Sequence, residues 1–246
     1  MGFYNAYEDV HRAKSYSELE FPGTYYLAFR DLPDVFREHA RGQRALDFGC
    51  GAGRSTRFLS GLGFEAVGID ISKEMIHRAR EIDPASDYRL IEDDGKLCGL
   101  EPESFDVIFS AFTFDNIPTE EKKVALFSGF RRLLGAGGIA VNLVSSPDIY
   151  FHEWASFSTK DFPENRSARP GDIVRIINTA VADKRPVEDI IWPDESYREV
   201  YRRAGFKVAK MLKPLAREGE PFEWVSERRI APWVIYVLDK IGRKAE

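Results

Sequence analysis

The chain has 246 residues, of which 43% are hydrophobic and 30% charged, and its formal net charge is −5. This size predicts one α/β domain with a full core and leaves little room for two independent domains. The acidic balance argues against binding to a nucleic acid backbone, which needs a basic face. No apolar run reaches the roughly 18 residues of a membrane helix, and the N-terminus lacks a secretion signal pattern. We therefore expect a cytoplasmic protein with no membrane span.

The sequence predicts neither disulfides nor a metal site. The two cysteines, Cys50 and Cys98, are too few for a disulfide framework, and neither belongs to a Cys-x-x-Cys motif. We expect Cys50 to be a small packing residue. The histidines have no partners at metal-ligand spacing, so no metal is expected.

The first 43 residues have the pattern of a helical arm in two pieces, separated by the turn signal Phe21-Pro22-Gly23. Five apolar strands separated by helical segments follow the arm. This alternation predicts a doubly wound parallel sheet. The strands are expected at residues 44–48, 65–69, 88–91, 105–110 and 138–144.

Two helices between these strands have recognisable starts, because Ser72 and Thr119 are suitable N-caps. Gly135 is expected to end the second helix. After the fifth strand the composition changes to aromatics, prolines and charges, with one helical run expected at 172–183. We interpret this stretch as an insertion over the site. A helix at 195–204 and strands at 206–212 and 233–238 complete the pattern.

The most informative motif is the run from Asp47 to Gly53, which contains alternating glycines. Gly49, Gly51 and Gly53 allow backbone N–H groups to approach a ligand closely. The Asp47 carboxylate would repel an anionic ligand and attract a cationic amine. Asp70 lies 19 residues after Gly51, about the spacing at which an acid meets ribose hydroxyls in nucleotide-binding units. The motif predicts a pocket for an adenosine carrying a positive group.

The residues of this chain do not match two other nucleotide-binding motifs. The fingerprint G-x-G-x-x-G would need a final glycine where Arg54 or Thr56 stands. A phosphate-binding P-loop is excluded because no Gly-Lys-Ser/Thr triplet occurs. An NAD(P)-dependent oxidoreductase therefore remains only as the weaker alternative.

The run Asp47-Phe48-Gly49-Cys50-Gly51-Ala52-Gly53, with Gly68-Ile69-Asp70, resembles motif I and the following acid of class I S-adenosylmethionine-dependent methyltransferases. The likeness continues to about residue 144, and the pattern is closest to the small-molecule branch typified by ubiquinone and menaquinone biosynthesis methyltransferases. It implies a Rossmann-like seven-stranded sheet with an antiparallel last strand. The implied cofactor is S-adenosylmethionine, converted to S-adenosylhomocysteine.

The resemblance implies a single methyltransferase domain over residues 1–246. Its expected parts are an N-terminal helical arm (1–43), a cofactor-binding core (44–144), a lid or substrate insertion (145–193), and a C-terminal helix with a strand hairpin (194–246). The sequence leaves open whether the protein is a monomer or a homodimer.

The resemblance also implies roles for individual residues. Asp47 would face the amino-acid end of the cofactor, Asp70 would hold the ribose, and Ile71 would pack on the adenine. Asp93, with Asp94 beside it, would reach the adenine amino group; the alternative is that the two acids form a turn with the next glycine. The cofactor-binding residues expected are Asp47, Gly49, Gly51, Gly53, Asp70, Ile71, Asp93, Asp94, Ser110, Tyr25 and Tyr26.

Candidates for the acceptor side lie after the fourth strand and in the insertion. Asp115 follows the carboxyl end of that strand and could orient an acceptor, or equally open a helix. His152, set among aromatic residues, is a candidate general base, with a packed histidine as the alternative. Tyr25 and Tyr26 are candidates for cation–π contact with the sulfonium, although aromatics in such arms more often only dock them.

Our leading hypothesis is a methyltransferase that acts on a small-molecule acceptor by direct in-line displacement. The alternative from another class is a non-catalytic module that binds S-adenosylmethionine or another nucleoside. A cleft after Ser110 that reaches the methyl position would favour the enzyme, and a filled one would favour the module. The sequence does not distinguish oxygen, nitrogen and carbon acceptors.

Overall fold

The computed structural model describes residues 6–93, 97 and 99–242. Within these residues the chain forms seven α-helices and ten strands, joined by short 3-10 turns. The helices are α1 (Val10–Ser17), α2 (Thr24–Arg30), α3 (Leu32–His39), α4 (Arg54–Gly61), α5 (Lys73–Ile82), α6 (Glu120–Leu133) and α7 (Asp194–Arg203). The strands are β1 (Arg44–Phe48), β2 (Glu65–Asp70), β3 (Asp87–Leu90), β4 (Phe105–Ala111), β5 (Leu134–Ser145), β6 (Phe157–Ser158), β7 (Ile173–Asn178), β8 (Val187–Ile190), β9 (Phe206–Leu212) and β10 (Trp233–Lys240).

Seven of these strands form the main sheet, in the order β3-β2-β1-β4-β5-β10-β9. Strands β1 to β5 pair in parallel, whereas β10 is antiparallel to both β5 and β9. This topology confirms the predicted doubly wound sheet closed by an antiparallel strand. The strand order reverses between β1 and β4, and open α/β sheets bind ligands at the carboxyl ends of the strands beside such a switch point.

Both faces of the sheet are covered by helices. Neighbouring residues of β1 point to opposite faces, as the two-residue period of a strand requires. Ala45 belongs to the core shared with the N-terminal arm and α4, whereas Leu46 belongs to the core under α6 and α7. Burial on both faces explains why the central strands are almost continuously apolar.

The predicted helix starts are confirmed by their caps. The Ser72 side chain accepts a hydrogen bond from the backbone N–H of Met75 at 3.2 Å. The Thr119 side chain does the same for Lys122, also at 3.2 Å. Helix α6 ends at Leu133 and passes directly into β5, slightly before the expected stop at Gly135.

The helix expected at 172–183 is wrong, because this stretch contains strand β7. Strand β7 forms a three-stranded sheet with β6 and β8 inside the insertion. Val174 and Ile176 are buried, while their neighbours Ile173 and Arg175 are exposed. This is the two-residue period of a half-buried strand, and β-branched side chains favour it.

The N-terminal arm bridges the core and the insertion. Its second helical piece is divided into α2 and α3 at Asp31. Arg12 of α1 forms an ion pair with Asp183 of the insertion at 3.1 Å. On the other side, Glu8 accepts a hydrogen bond from the backbone N–H of Lys73, which begins α5. Among the helices of the described residues, none has both the length and the apolar character that a membrane span needs.

Candidate functional site

A cavity of about 240 Å³ lies at the carboxyl edge of the main sheet. The turns after β1, β2, β3, β4 and β5 all contribute to its wall, because parallel strands end at the same edge. The N-terminal arm and the insertion supply the remaining wall. The predicted site residues on this wall are Tyr25, Gly49, Gly51, Asp70, Ile71, Asp93 and Asp115.

The glycine turn after β1 needs glycine for two different reasons. Gly49 and Gly51 line the cavity with positive φ angles of 73° and 52°, a region that other residues avoid. A side chain at Gly49 would also overlap Thr113. Gly53 has a φ of 85° but does not line the cavity, and a side chain there would overlap the Tyr88 hydroxyl. Gly53 therefore serves packing on the far side of the turn.

Asp70 joins the glycine turn to the end of β2. One carboxylate oxygen accepts the backbone N–H of Gly51 at 2.8 Å, and the other accepts that of Ser72 at 2.8 Å. Burial raises the pKa of this carboxyl group. Each carboxylate oxygen can accept a further bond, so the side chain holds the turn and can still meet a diol in the cavity.

Asp47 is fully buried behind the wall of the cavity. Its Oδ2 atom accepts hydrogen bonds from Ser55 at 2.6 Å and Thr56 at 2.7 Å. Its Oδ1 atom has no partner within the part of the chain that the structure describes. Burial raises the pKa of Asp47 to about 6. An unpaired buried carboxylate oxygen is costly, so Oδ1 is suited to a hydrogen-bond donor from outside the protein.

Arg54 lines the cavity. In the sequence, its presence indicated only that the NAD fingerprint is absent. Its guanidinium carbon lies 4.8 Å from the ring centre of Tyr25, 5.4 Å from that of Phe29 and 5.6 Å from that of Phe21. It donates to the Glu20 carbonyl at 2.6 Å and has no ion pair among the described residues. Burial lowers its pKa. Arg54 thus offers a cation to an anionic ligand group. The sequence does not predict this role, because the aromatic neighbours of Arg54 are far apart along the chain.

The loop after β3 contributes a more exposed part of the wall. Asp93 and Ile71 both line the cavity, and Asp93 forms an ion pair with Lys122 at 2.6 Å. Asp94, its expected companion, lies outside the described residues, as does the turn that was the alternative.

The two adjacent tyrosines of α2 have different positions, because successive helix residues point about 100° apart. Tyr25 is buried on the cavity wall, and its hydroxyl accepts a hydrogen bond from Asn178 at 3.0 Å. Tyr26 points away from the cavity and packs on Phe222, with ring centres 5.3 Å apart. Ser110, also expected at the site, is buried within β4 and does not line the cavity.

The structure does not bring His152 to the cavity. Its ring packs edge-on against Trp154 with centroids 6.2 Å apart, while Tyr150 and Phe157 of the same insertion do line the wall. This geometry matches the alternative of a packed histidine. Asp115, by contrast, is buried on the wall, in a 3-10 turn after β4.

Asp115 is accompanied by a second buried acid, Asp189 of β8, which no motif in the sequence singled out. Asp115 accepts hydrogen bonds from the backbone N–H and the hydroxyl of Ser145. Asp189 accepts bonds from Asn116 at 2.5 Å and from the Tyr150 hydroxyl at 3.0 Å. Burial raises the pKa of both carboxyl groups. Among the described residues, no group of three or more His, Cys, Asp or Glu side chains is placed to hold a metal.

Comparison with known sequences gives matches over the core of the chain. Residues 45–138 match the family model of a methyltransferase domain. A curated ubiquinone biosynthesis O-methyltransferase from Burkholderia vietnamiensis (strain G4) is 28% identical over 144 residues, which are 53% of this chain and 60% of that protein. The chain thus spans less than two thirds of the length of that relative.

Comparison with solved structures extends the likeness to nearly the whole chain. The CcbJ methyltransferase of Streptomyces caelestis has a TM-score of 0.64 at 18% identity and covers 94% of this chain and 96% of its own. An S-adenosylmethionine-dependent methyltransferase from Mesorhizobium loti has a TM-score of 0.60 at 18% identity, covering 86% and 97%. At these identities the likeness shows the fold. Together with the match of residues 45–138 to the methyltransferase family model, it supports the predicted Rossmann-like α/β fold.

Proposed function

We propose that this chain is a class I methyltransferase that binds S-adenosylmethionine in the cavity and transfers its methyl group to a small molecule. The observation that carries the proposal is the meeting of Asp47, Arg54 and Asp70 around the glycine turn at the switch point of the sheet. The family match supports the same assignment.

The charges around the glycine turn fit this cofactor. Asp47 lies behind the cavity wall, where its Oδ1 lacks a partner among the described residues, and its negative charge would favour the cationic amine of the amino-acid end. Arg54 would pair with its carboxylate, since bidentate Arg–carboxylate contacts are strong. Asp70 would accept hydrogen bonds from the ribose hydroxyls, and Gly51 lets the cofactor approach the backbone. Ile71 would pack on the adenine, and Asp93 would meet its amino group.

The chain's own contribution to the reaction is alignment and exclusion of water. When bound, S-adenosylmethionine supplies an electrophilic methyl group on a positively charged sulfur. The buried ring of Tyr25 would favour that positive charge and shield it from solvent. The groups around Asp115 would hold the acceptor in line with the methyl group, and such positioning can lower a barrier by several kcal/mol.

An enzyme is favoured over a non-catalytic binding module by the extent of the cavity. The wall of the cavity continues past β4 to Asp115, Ser145 and Asp189. The cavity therefore leaves space for an acceptor beyond the part that the cofactor would occupy. The arm and the insertion both contribute to this wall, which supports one functional domain over residues 1–246. These contacts do not specify the atom that receives the methyl group.

The cofactor assignment is tested by calorimetry with S-adenosylhomocysteine on the purified chain. We expect binding by the wild-type protein and about tenfold or weaker binding by Asp70→Asn, because the amide loses charge and acceptor capacity toward both the turn and the diol. Asp34→Asn, at an exposed position on α3, is the matched control and should bind as the wild type does. Absence of binding by the wild type, or equal binding by Asp70→Asn, would contradict the assignment.

Catalysis is tested separately with S-adenosylmethionine carrying a labelled methyl group and a panel of small phenols, amines and carboxylic acids. Transfer of label to any of them supports the enzyme. Binding of the cofactor without transfer to any member of the panel would instead support the non-catalytic module.

A further inference from the structure

The part of the cavity formed by β4, β5 and the insertion contains two buried carboxylates that the cofactor does not need. Asp115 is 4% exposed and Asp189 is 9% exposed, and both lie on the cavity wall. The two acids are neighbours, because Asn116, next to Asp115 in the chain, donates to an oxygen of Asp189. They meet only in the folded protein, since one follows β4 and the other belongs to the insertion.

The hydrogen-bond partners of these carboxylates carry no positive charge. Ser145 donates hydrogen bonds to Asp115, while Asn116 and the Tyr150 hydroxyl donate to Asp189. Each carboxylate has about four acceptor positions, so each can still accept hydrogen bonds from a ligand in the cavity. Buried charges are normally paired, and within the described residues neither acid has an ion pair.

The nearest buried cation does not complete this arrangement. The ammonium of Lys123 donates to the Phe114 carbonyl and lies 5.0 Å from the Trp192 ring centre and 5.5 Å from that of Tyr197. It is not on the cavity wall. Burial lowers its pKa, with the two acids opposing that effect. When both acids are ionised, this single ammonium can neutralise only one of the two carboxylates, and the other is left for a ligand.

The surroundings of the acids suit an organic cation with an apolar body. The rings of Tyr150, Phe157 and Trp233 line the cavity with the aliphatic side chains of Ile149 and Ile176. Aromatic faces attract cations, and the aliphatic groups accept an apolar body. A carboxylate or phosphate on the acceptor would instead meet the field of two acids, whose hydrogen-bond partners carry no positive charge.

We infer that the methyl acceptor is a small amine, bound as its ammonium ion by Asp115 and Asp189 with its apolar body against the aromatic wall. This inference rests on the proposed function, because it assigns to the acceptor the charges that remain after Asp47, Arg54 and Asp70 are assigned to the cofactor. It specifies the class of molecule recognised and leaves the methylated atom to experiment. Transfer to another atom leaves the ammonium intact, whereas transfer to this nitrogen requires that it first gives a proton to the carboxylate of Asp115 or Asp189, which frees its lone pair.

The first test compares three probes of similar shape and different charge: phenethylamine, 2-phenylethanol and 3-phenylpropionate. Binding of each is measured by calorimetry at pH 7.5 to the wild-type protein saturated with S-adenosylhomocysteine. We expect the amine to bind about tenfold or more tightly than the alcohol, and the acid to bind most weakly. Equal binding of all three, or preference for the acid or the alcohol, would overturn the inference.

The second test removes the carboxylates one at a time. Asp115→Asn and Asp189→Asn should each weaken binding of phenethylamine about tenfold while changing that of 2-phenylethanol less than about twofold. Asp161→Asn, an exposed position in the insertion, is the charge-matched control and should change neither. Equal weakening of phenethylamine and 2-phenylethanol binding would indicate a structural role and contradict specific recognition of the cation. The probe series on the wild-type protein remains decisive if a variant fails to fold.

Two further measurements distinguish failure of the cofactor site from failure of the amine site. Binding of S-adenosylhomocysteine is measured first, so its absence would refute the proposed function, whereas its presence without amine preference would refute only this inference. Magnesium chloride is titrated in the same way, because a divalent cation is the rival partner for two carboxylates. Binding of magnesium at these acids, without preference for the amine, would also overturn the inference.

Discussion

Asp47 is the buried side chain at this site whose hydrogen-bonding capacity the described residues leave partly unused. One of its oxygens is satisfied by Ser55 and Thr56, while the other is buried without a hydrogen bond from any described residue. The folded protein therefore holds a carboxylate at a cost when no ligand is present. This is the expected state of a binding group whose partner arrives with the cofactor.

The cost of burying Asp47 predicts a pH effect on stability. Its pKa is raised to about 6 in the folded protein, against about 3.9 for an unfolded chain. As pH rises, the unfolded chain therefore loses this proton first, and the contribution of Asp47 to stability falls between about pH 4 and pH 6. The loss is about 3 kcal/mol, and above pH 6 it is complete.

Asp47→Asn removes this titration. In urea unfolding without cofactor, we expect the unfolding free energy of the variant, relative to the wild type, to rise by up to about 3 kcal/mol from pH 4 to pH 7.5. The exposed substitution Asp34→Asn should show no comparable change with pH. A difference between Asp47→Asn and the wild type that stays constant with pH would contradict the assignment of this pKa.

At the scale of elements, the N-terminal arm is the part that completes the cavity, and side chains far apart in sequence hold it there. Arg12 of α1 pairs with Asp183, and its guanidinium also donates to the Pro186 carbonyl at 3.1 Å. Arg185 links Asp183 to Asp9, which caps α1. Tyr25 then reaches the cavity from α2. The arm and the insertion thus form one wall.

Arg12→Ala should weaken this connection. Both side chains of the Arg12–Asp183 pair are about nine-tenths buried, so we expect a loss of about 1 to 3 kcal/mol, between the values for exposed and fully buried pairs. Arg37→Ala breaks an ion pair whose partners are 76% and 73% exposed and should cost less than about 0.5 kcal/mol. The measurement is urea unfolding of both variants, and equal losses would contradict the role given to Arg12.

At the scale of the whole molecule, the arm, the core and the insertion share one cavity, so a ligand there should stabilise all of them together. S-adenosylhomocysteine at 100 times its dissociation constant should raise the free energy of unfolding by about 2.7 kcal/mol. For a chain of this size that corresponds to a Tm increase of roughly 5 to 10 °C. Differential scanning calorimetry should show one transition that moves as a unit. A transition of the core alone would instead indicate that the arm and the insertion unfold independently.

Local patterns in the amino-acid sequence were enough to predict the main sheet, the helix caps at Ser72 and Thr119, and the glycine turn with Asp70. These features depend on local periodicity, on capping side chains and on backbone conformations that need glycine, all of which are visible along a short stretch of chain. The same patterns were insufficient for β7, because its apolar residues stand next to each other, as in Ile173-Val174 and Ile176-Ile177, and so do not show the two-residue period of a half-buried strand.

Which side chains reach the cavity depends on the tertiary structure. It placed Tyr25 on the wall and Tyr26 outside it, left His152 against Trp154, and brought Arg54 to aromatic rings from the arm. It also brought Asp189 next to Asp115 across a long insertion. The physical reason is that burial, charge pairing and cavity shape depend on contacts between distant segments, which no local pattern in the sequence specifies.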